Sequence, residues 1–204
     1  MQIMPYKQHL SKDKKLAKLL TEQHHQLEMK KNIPLRLMAS IMGQQLSTKV
    51  AKVIYHRFLD LYGKKEPKPQ QVIDTPHETL RAIGLSNAKV QYVKNVAAFC
   101  IEQKINDKKL ITLDNDEIID LLTQIKGVGK WTVEMLMMFS LGREDVFAVD
   151  DLGIQQAMER LYNIDASNKK LMKEKMLQLS NKWSPYRTFA CLHLWSWKDN
   201  TPKP

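Results

Sequence analysis

Leu122-Thr-Gln-Ile-Lys-Gly-Val-Gly-Lys-Trp-Thr132 is the stretch on which the fold turns. Leu122 and Ile125 close an apolar run, helix formers resume over residues 130–141, and Gly127-Val128-Gly129 makes a tight turn between them. Glycine reaches backbone conformations closed to other residues and lets a ligand approach the main chain. The next helix begins at once, so its first amides and its positive dipole end face whatever sits in the turn. A phosphate suits that place, with Lys126 and Lys130 beside it. A Gly-x-Gly pair alone serves equally well as an ordinary interhelical turn. The spacing excludes a dinucleotide fingerprint and a P-loop, since the third glycine, the Gly-Lys-Ser/Thr end and a preceding strand are all missing.

The composition points the same way. With 204 residues, 43% of them hydrophobic, the chain can bury a core as one large domain or two small lobes. Its 32 Lys+Arg against 22 Asp+Glu give a net charge of +10, which favours a polyanionic partner through counterion release. Cys100 and Cys191 are far apart and share no metal-type spacing, so neither a disulfide framework nor a zinc site is implied. The first fifteen residues lack an apolar signal core, and the longest greasy stretch, 135–141, is too short to span a bilayer. The expected location is cytoplasmic, nucleoid-associated if the source is bacterial, with no membrane partner.

Along the chain, the patterning predicts an amphipathic helix over 11–30, capped by Ser11 and carrying Leu16, Leu19, Leu20 and Leu27. A buried helix with Pro34 in its first turn follows, ending at Gly43 in positive φ. Gln44-Gln45-Leu46 bridges to Ser47, which caps a helix with Val50, Val53, Ile54, Phe58 and Leu61 as its apolar positions. Residues 63–71 read as a loop. Thr75 reads as the N-cap of a short helix with Pro76 and Glu78 in its first turn. Ser86 caps the next, with Val90, Val93, Ala97 and Ile101 inward. Residues 106–113 read as a polar connector, and Asp114 to Glu117 load acid onto the helix leading to the turn. Beyond it, Trp131, Met135, Leu136 and Phe139 are candidate apolar positions, and Val146-Phe-Ala-Val149 reads as a buried loop or a strand. That segment leads to Asp150-Asp151 and a helix over 152–162, followed by one capped at Ser167 or Asn168 and a last one opened by Ser184-Pro185. The expected architecture is all-α, with about nine or ten helices and no internal repeat.

The stretch 122–132, with Asp151 twenty residues after Trp131, resembles the helix-hairpin-helix DNA glycosylases of base excision, and most closely their 3-methyladenine DNA glycosylase II (alkylbase) branch. Ser40-Ile-Met-Gly-Gln-Gln-Leu-Ser47, Gly84-Leu-Ser-x-x-Lys89 and Ser184-Pro-Tyr-Arg-Thr-Phe-Ala190 with Leu194-Trp195 resemble other stretches of that branch, in the same order. The likeness runs over roughly 10–197. It implies a two-lobed helical core spanning 1–204 with the active-site cleft between the lobes: about 35–115 in one, 1–34 plus 116–204 in the other. The N-terminal β domain of larger members is not expected.

The resemblance also implies a chemistry. Cleaving the bond between deoxyribose and base builds positive charge on the sugar, which a preplaced carboxylate stabilises. Matching the family pattern makes Asp151 that carboxylate and Asp150 a cap or support, and a one-residue slip would exchange them. Where the glycosylase-lyases carry a Schiff-base lysine, this chain has Trp131, with Lys130 one residue early, so a monofunctional hydrolase without lyase activity is implied. The iron-sulfur cluster of the endonuclease III branch is excluded, because it needs four cysteines. Alkylated purines such as 3-methyladenine and 7-methylguanine are cationic, so an aromatic wall binds them by stacking and cation-π attraction. Trp131 is the leading wall. Tyr55, Trp183, Trp195 and Trp197 read as core or rim, with Tyr55 retained as a second pocket candidate.

The base must leave the stack, and by resemblance Gln45 and Leu46 sit on the loop that fills the gap, either one able to wedge. Lys89, Lys126 and Lys130 are candidate phosphate contacts alongside the main chain of Gly127, Val128 and Gly129. No cofactor is expected beyond a monovalent cation held by the backbone carbonyls of Gln124, Ile125 and Gly127. The expected partner is duplex DNA carrying alkylated bases, met by a monomer. Two other readings stay open: a non-catalytic DNA-binding module that kept the hairpin, and an oxidised-base or mismatch glycosylase of the same fold.

Overall fold

The structure is a computed structural model that describes residues 4–20 and 24–200. Among the described residues there are twelve α-helices, two short 3-10 turns and no strand, so the chain is all-α as expected. The helix count exceeds nine or ten because three short helices, Pro5–Leu10, Pro69–Asp74 and Asp107–Thr112, form where none was expected. Among the described residues no helix is long and apolar enough to cross a membrane.

The chain begins in one compact unit, forms a second over Met29–Leu141, and returns to the first from Gly142 onward. These dividing lines differ from those at 34/35 and 115/116 expected from the sequence. The helices flanking the hairpin group with the residues before them, because the helix after it lies against the helix at the centre of the second unit.

In the first unit, α1 (Pro5–Leu10) seats Tyr6, whose ring stacks on Phe189 at 4.1 Å. The helix predicted over 11–30 does not form. Ser11 ends α1 as its C-cap, and the Asp13 carboxylate takes the amides of Lys15 and Leu16, turning the chain into a 3-10 turn over Leu16–Leu19. Residues 24–30 are non-helical, and 21–23 lie outside the described residues.

The second unit is built around α2 (Ile33–Gly43), which is apolar on nearly every side and buries Ile33, Leu35, Leu37, Met38, Ile41 and Met42. Its cap Asn32 accepts from Leu35 N–H, while the Asn32 and Ile33 amides both donate to Asp107, each at 2.8 Å. After α3 (Thr48–Asp60) come α4 (Pro69–Asp74) and α5 (His77–Ala82), then α6 (Asn87–Glu102) and α7 (Asp107–Thr112). Two of these short helices lie in segments read as loop or connector. Thr75 is the C-cap of α4 and not the cap of α5, where Pro76 takes that place. Ser47 and Ser86 cap α3 and α6 as expected, but Val50, Val53 and Leu61 of the predicted α3 stripe are exposed, as is Ile101 of α6. α8 (Asn115–Leu122) starts with a reciprocal capping box between Asp114 and Glu117, and α9 (Lys130–Phe139) follows the hairpin. α2 packs on α3, α6 and α9.

Back in the first unit, residues 146–149 form a buried loop rather than a strand. The Val146 amide donates to Thr188 Oγ1 at 3.0 Å, and Asp145 makes a two-armed ion pair with Arg187 at 2.6 and 2.9 Å. This fixes the approach to α10 (Leu152–Tyr162), which packs on α12 (Arg187–Asn200), with α11 (Lys169–Ser180) between them in the chain and capped by Asn168.

Candidate active site

The hairpin is sprung between two buried side chains. Ile125 and Val128 are 3% and 5% exposed, and the Val128 amide closes the turn onto Ile125 O at 2.9 Å. Val128, expected to meet DNA, is therefore a plug whose side chain faces the protein and whose amide is engaged; the exposed surface belongs to Lys126, Gly129 and Lys130. Gly127 has φ of +102°, and a Cβ there would collide with the Tyr92 ring of α6, so both its backbone and its neighbour require glycine. One turn further along α6, Asn95 Nδ2 donates to Lys126 O at 3.1 Å. Gly129 caps α9 with no side-chain hydrogen bond, so the helix opens on backbone alone. Lys130 Nζ lies 4.0 Å from buried Glu134.

The burial phase of α9 differs from the sequence reading. Thr132, Val133, Glu134, Leu136, Met137 and Met138 face inward, whereas Trp131 is 39% exposed and Phe139 41%. A tryptophan left that open at the first turn of a helix is not a core residue.

The loop joining α2 to α3 is the second feature of this unit. The positive φ expected at Gly43 occurs instead at Gln45, at +59°, a left-handed conformation that costs a non-glycine residue about 1 kcal/mol. Such strain, where it persists, marks sites held by their surroundings. Gln45 and Leu46 are both exposed, presenting the two wedge candidates side by side. Lys89 does not have the surface position expected of a phosphate contact. It is half-buried, and its ammonium donates to Met42 O at 3.0 Å and Gln44 O at 2.7 Å, while burial pulls its pKa below the ordinary lysine value. Tyr55, the second pocket candidate, is tied elsewhere. Its hydroxyl accepts from Arg36 Nη1 at 3.3 Å, Arg36 pairs with Glu66 at 2.7 Å, and burial raises the phenol pKa.

In the first unit, Asp151 is the N-cap of α10, the role expected of Asp150. Its Oδ1 accepts from Ile154 N–H at 2.9 Å and from Trp195 Nε1–H at 2.8 Å, two donors converging on one oxygen. Asp150 points away from this arrangement into an ion pair with Lys173 of α11. Gly153 makes the approach of Trp195 feasible, since a Cβ there would sit 3.1 Å from both Asp151 Oδ1 and Trp195 Cδ1. The sequence reading missed Trp195, Gly153, Tyr92, Asn95 and the true partners of Lys89. The stretches that carry Lys89 and Trp195 were visible as motifs, but their roles depend on residues more than forty positions away.

Among the described residues no group of three His, Cys, Asp or Glu side chains is placed to hold a metal ion. Cys100 and Cys191 are both buried and form no disulfide.

Comparison with known proteins gives the family. Residues 38–182 match the family described as HhH-GPD superfamily base excision DNA repair protein. The chain is 36% identical to DNA-3-methyladenine glycosylase 1 of Schizosaccharomyces pombe over 89% of its own length and 80% of that protein's. It superposes on the crystal structure of DNA-3-methyladenine glycosidase from Bacillus halodurans with a TM-score of 0.84 at 35% identity, covering 97% of this chain and 90% of that one. A Schizosaccharomyces pombe 3-methyladenine DNA glycosylase in complex with abasic DNA gives a TM-score of 0.84 at 32% identity, over 98% of this chain and 100% of that one. The all-α fold, the glycine hairpin and these likenesses together place the chain in the HhH-GPD superfamily of base excision DNA repair proteins.

Proposed function

We propose that the protein is a monofunctional DNA glycosylase of the 3-methyladenine glycosylase II type, hydrolysing the bond between deoxyribose and an alkylated purine in duplex DNA. The observation that carries this reading is the Asp151 carboxylate, oriented by Trp195 and the start of α10 instead of being left to rotate in solvent. Fixed in that way, it stabilises the oxocarbenium-like sugar at the transition state and orients the attacking water without reorganising during the reaction. Trp131 stacks on the cationic base, and its place at the position of the lyase lysine leaves no amine to form a Schiff base. Gln45 or Leu46 fills the gap in the duplex. The amides at the start of α9, with Lys126 and Lys130, hold a phosphate. The chemistry of the hairpin carbonyls suits a monovalent cation: Gln124, Ile125 and Gly127 offer neutral oxygens with no carboxylate among them, and a carbonyl such as Ile125 O, which accepts from Val128 N–H, carries two lone pairs. The expected place of work is the cytoplasm, at the nucleoid if the source is bacterial.

Incubation with methylated duplex DNA, with released bases and strand breaks measured separately, tests this. Release of 3-methyladenine and 7-methylguanine without nicking, and with no borohydride-trapped adduct, is the expected result. DNA binding without base release would contradict the reading.

A further inference from the structure

The two elements assigned to DNA above, the α2–α3 loop and the hairpin, are far apart in sequence but lean on one helix. Lys89, Tyr92 and Asn95 follow each other at spacing three along α6, so they share a broad face. Lys89 donates to the carbonyls of Met42 and Gln44, at the end of α2 and in the loop. Tyr92 fills the space beside Gly127, and Asn95 holds Lys126 O. A second tie closes the figure, because Gln44 Nε2 donates to Thr132 Oγ1 at 3.2 Å in the first turn of α9. Gln44 is thus gripped by its carbonyl from α6 and by its side chain from α9, and the next residue is Gln45 in its left-handed conformation.

We infer that Lys89 is a positioning residue for the wedge: its ammonium caps the orphan carbonyls at the end of α2 and fixes Gln45 and Leu46 in register with the hairpin. The proposal rests on the reading of Gln45 or Leu46 as the residue that fills the gap. Helix ends leave carbonyls without intrahelical partners, and a lysine is a natural cap for them. Here the cap comes from a different helix, so it does more than terminate α2. A loop pre-set in a strained conformation inserts without the ordering cost that a mobile loop meets on binding. Lys89 contributes to removing the base from the stack and leaves the bond cleavage to other groups.

That division gives a signature. Single-turnover base release is measured on 7-methylguanine paired with cytosine and on the same lesion opposite an abasic site, where little pairing has to be broken. Lys89→Met is expected to slow release from the paired lesion about tenfold and from the unpaired one less than about threefold, with Lys89→Arg restoring most of the paired rate. Thr132→Val, a smaller change that removes the far tie on Gln44, is expected to show the same preference for the unpaired lesion at about threefold loss, and it decides the matter if Lys89→Met does not fold. Amide exchange at residues 44–46 in the free protein is read in parallel and is expected to accelerate about tenfold in Lys89→Met. Equal loss on both substrates, or unchanged exchange in a folded variant, would overturn the proposal. If the wild type releases no base from either substrate, it is the proposed function that fails, and the exchange measurement alone decides whether Lys89 fixes the loop.

Discussion

Two aspartates in the first unit are built from similar parts and end in different states. Asp13 and Asp151 each accept from a tryptophan indole, Trp183 at 3.0 Å and Trp195 at 2.8 Å, and each takes a backbone amide three residues ahead. Around Asp13 the shell is closed: Tyr162 donates at 2.6 Å, Lys182 at 2.8 Å and the Lys15 amide at 3.0 Å, both oxygens are engaged, and the residue is 7% exposed. Burial alone would raise its pKa, but the donors from Lys182, Tyr162 and Trp183 outweigh it and hold the carboxyl well below the usual range. Asp151 keeps intermediate exposure, and its indole and amide donors meet on Oδ1. Asp13 is thus enclosed, whereas Asp151 keeps the partial exposure that the proposed catalytic carboxylate requires.

The sharpest way to break this contrast is to neutralise each residue in turn. Asp151→Asn should lower single-turnover base release about a thousandfold and shift the melting temperature by only a few degrees. Asp13→Asn should do the reverse, costing about 3–5 kcal/mol of stability, a drop in Tm of about 6–20 °C, while the folded fraction keeps its rate. The next largest effect separates the tryptophans. Trp195→Phe, which removes the indole N–H and keeps a ring, should slow release about tenfold, whereas Trp183→Phe should cost about 1–3 kcal/mol in chemical denaturation and leave the rate alone.

The acid limb of stability should carry both signs of burial in this unit. Burial, with the nearby charges of His25 and Lys7, lowers the His193 pKa from 6.5 to about 4, so between those values the unfolded chain binds a proton there that the folded chain does not. Stability should therefore fall as the pH drops from 6.5 towards 4, and His193→Gln should flatten that interval in pH-dependent melting. Asp13 acts lower on the scale. With its folded pKa held below the ordinary carboxylate value, its contribution is complete above about pH 4 and lost as the pH falls below that, a further step that Asp13→Asn should remove. The smallest effect concerns the neighbour of Asp151. Asp150 pairs with Lys173 across partly exposed side chains, so Asp150→Asn and Lys173→Ala should each cost under about 1 kcal/mol and change release less than about twofold. A large loss in Asp150→Asn would move the catalytic role by one residue.

What was legible in the sequence is local chemistry. Ser47, Ser86 and Asp114 cap the helices they precede, α9 begins at Lys130, and the hairpin is where its two glycines place it. Periodicity failed where distant partners decide. The leucines of residues 11–30 suggest a helix, but Asp13, drawn in by Tyr162, Lys182 and Trp183, takes the amides that would start it. Val50 and Val53 repeat at helical spacing and remain exposed, since spacing marks a face and not what covers it. Lys89 on a basic chain reads as a solvated phosphate contact; only the fold brings it to the carbonyls of Met42 and Gln44. At Asp150-Asp151 the cap and the reactive carboxylate were expected on different residues, and capping falls to Asp151 itself, which no pattern of residue types could distinguish.

The central claim is that an accessible carboxylate held by Trp195 and the start of α10 cleaves the base. Its most direct test is the single-turnover release of 7-methylguanine from methylated duplex DNA by wild type and by Asp151→Asn, with Tm measured on the same preparations. The account predicts release by the wild type and a loss of about a thousandfold in a variant that is still folded and still binds DNA. Release by Asp151→Asn within about threefold of the wild type would contradict it.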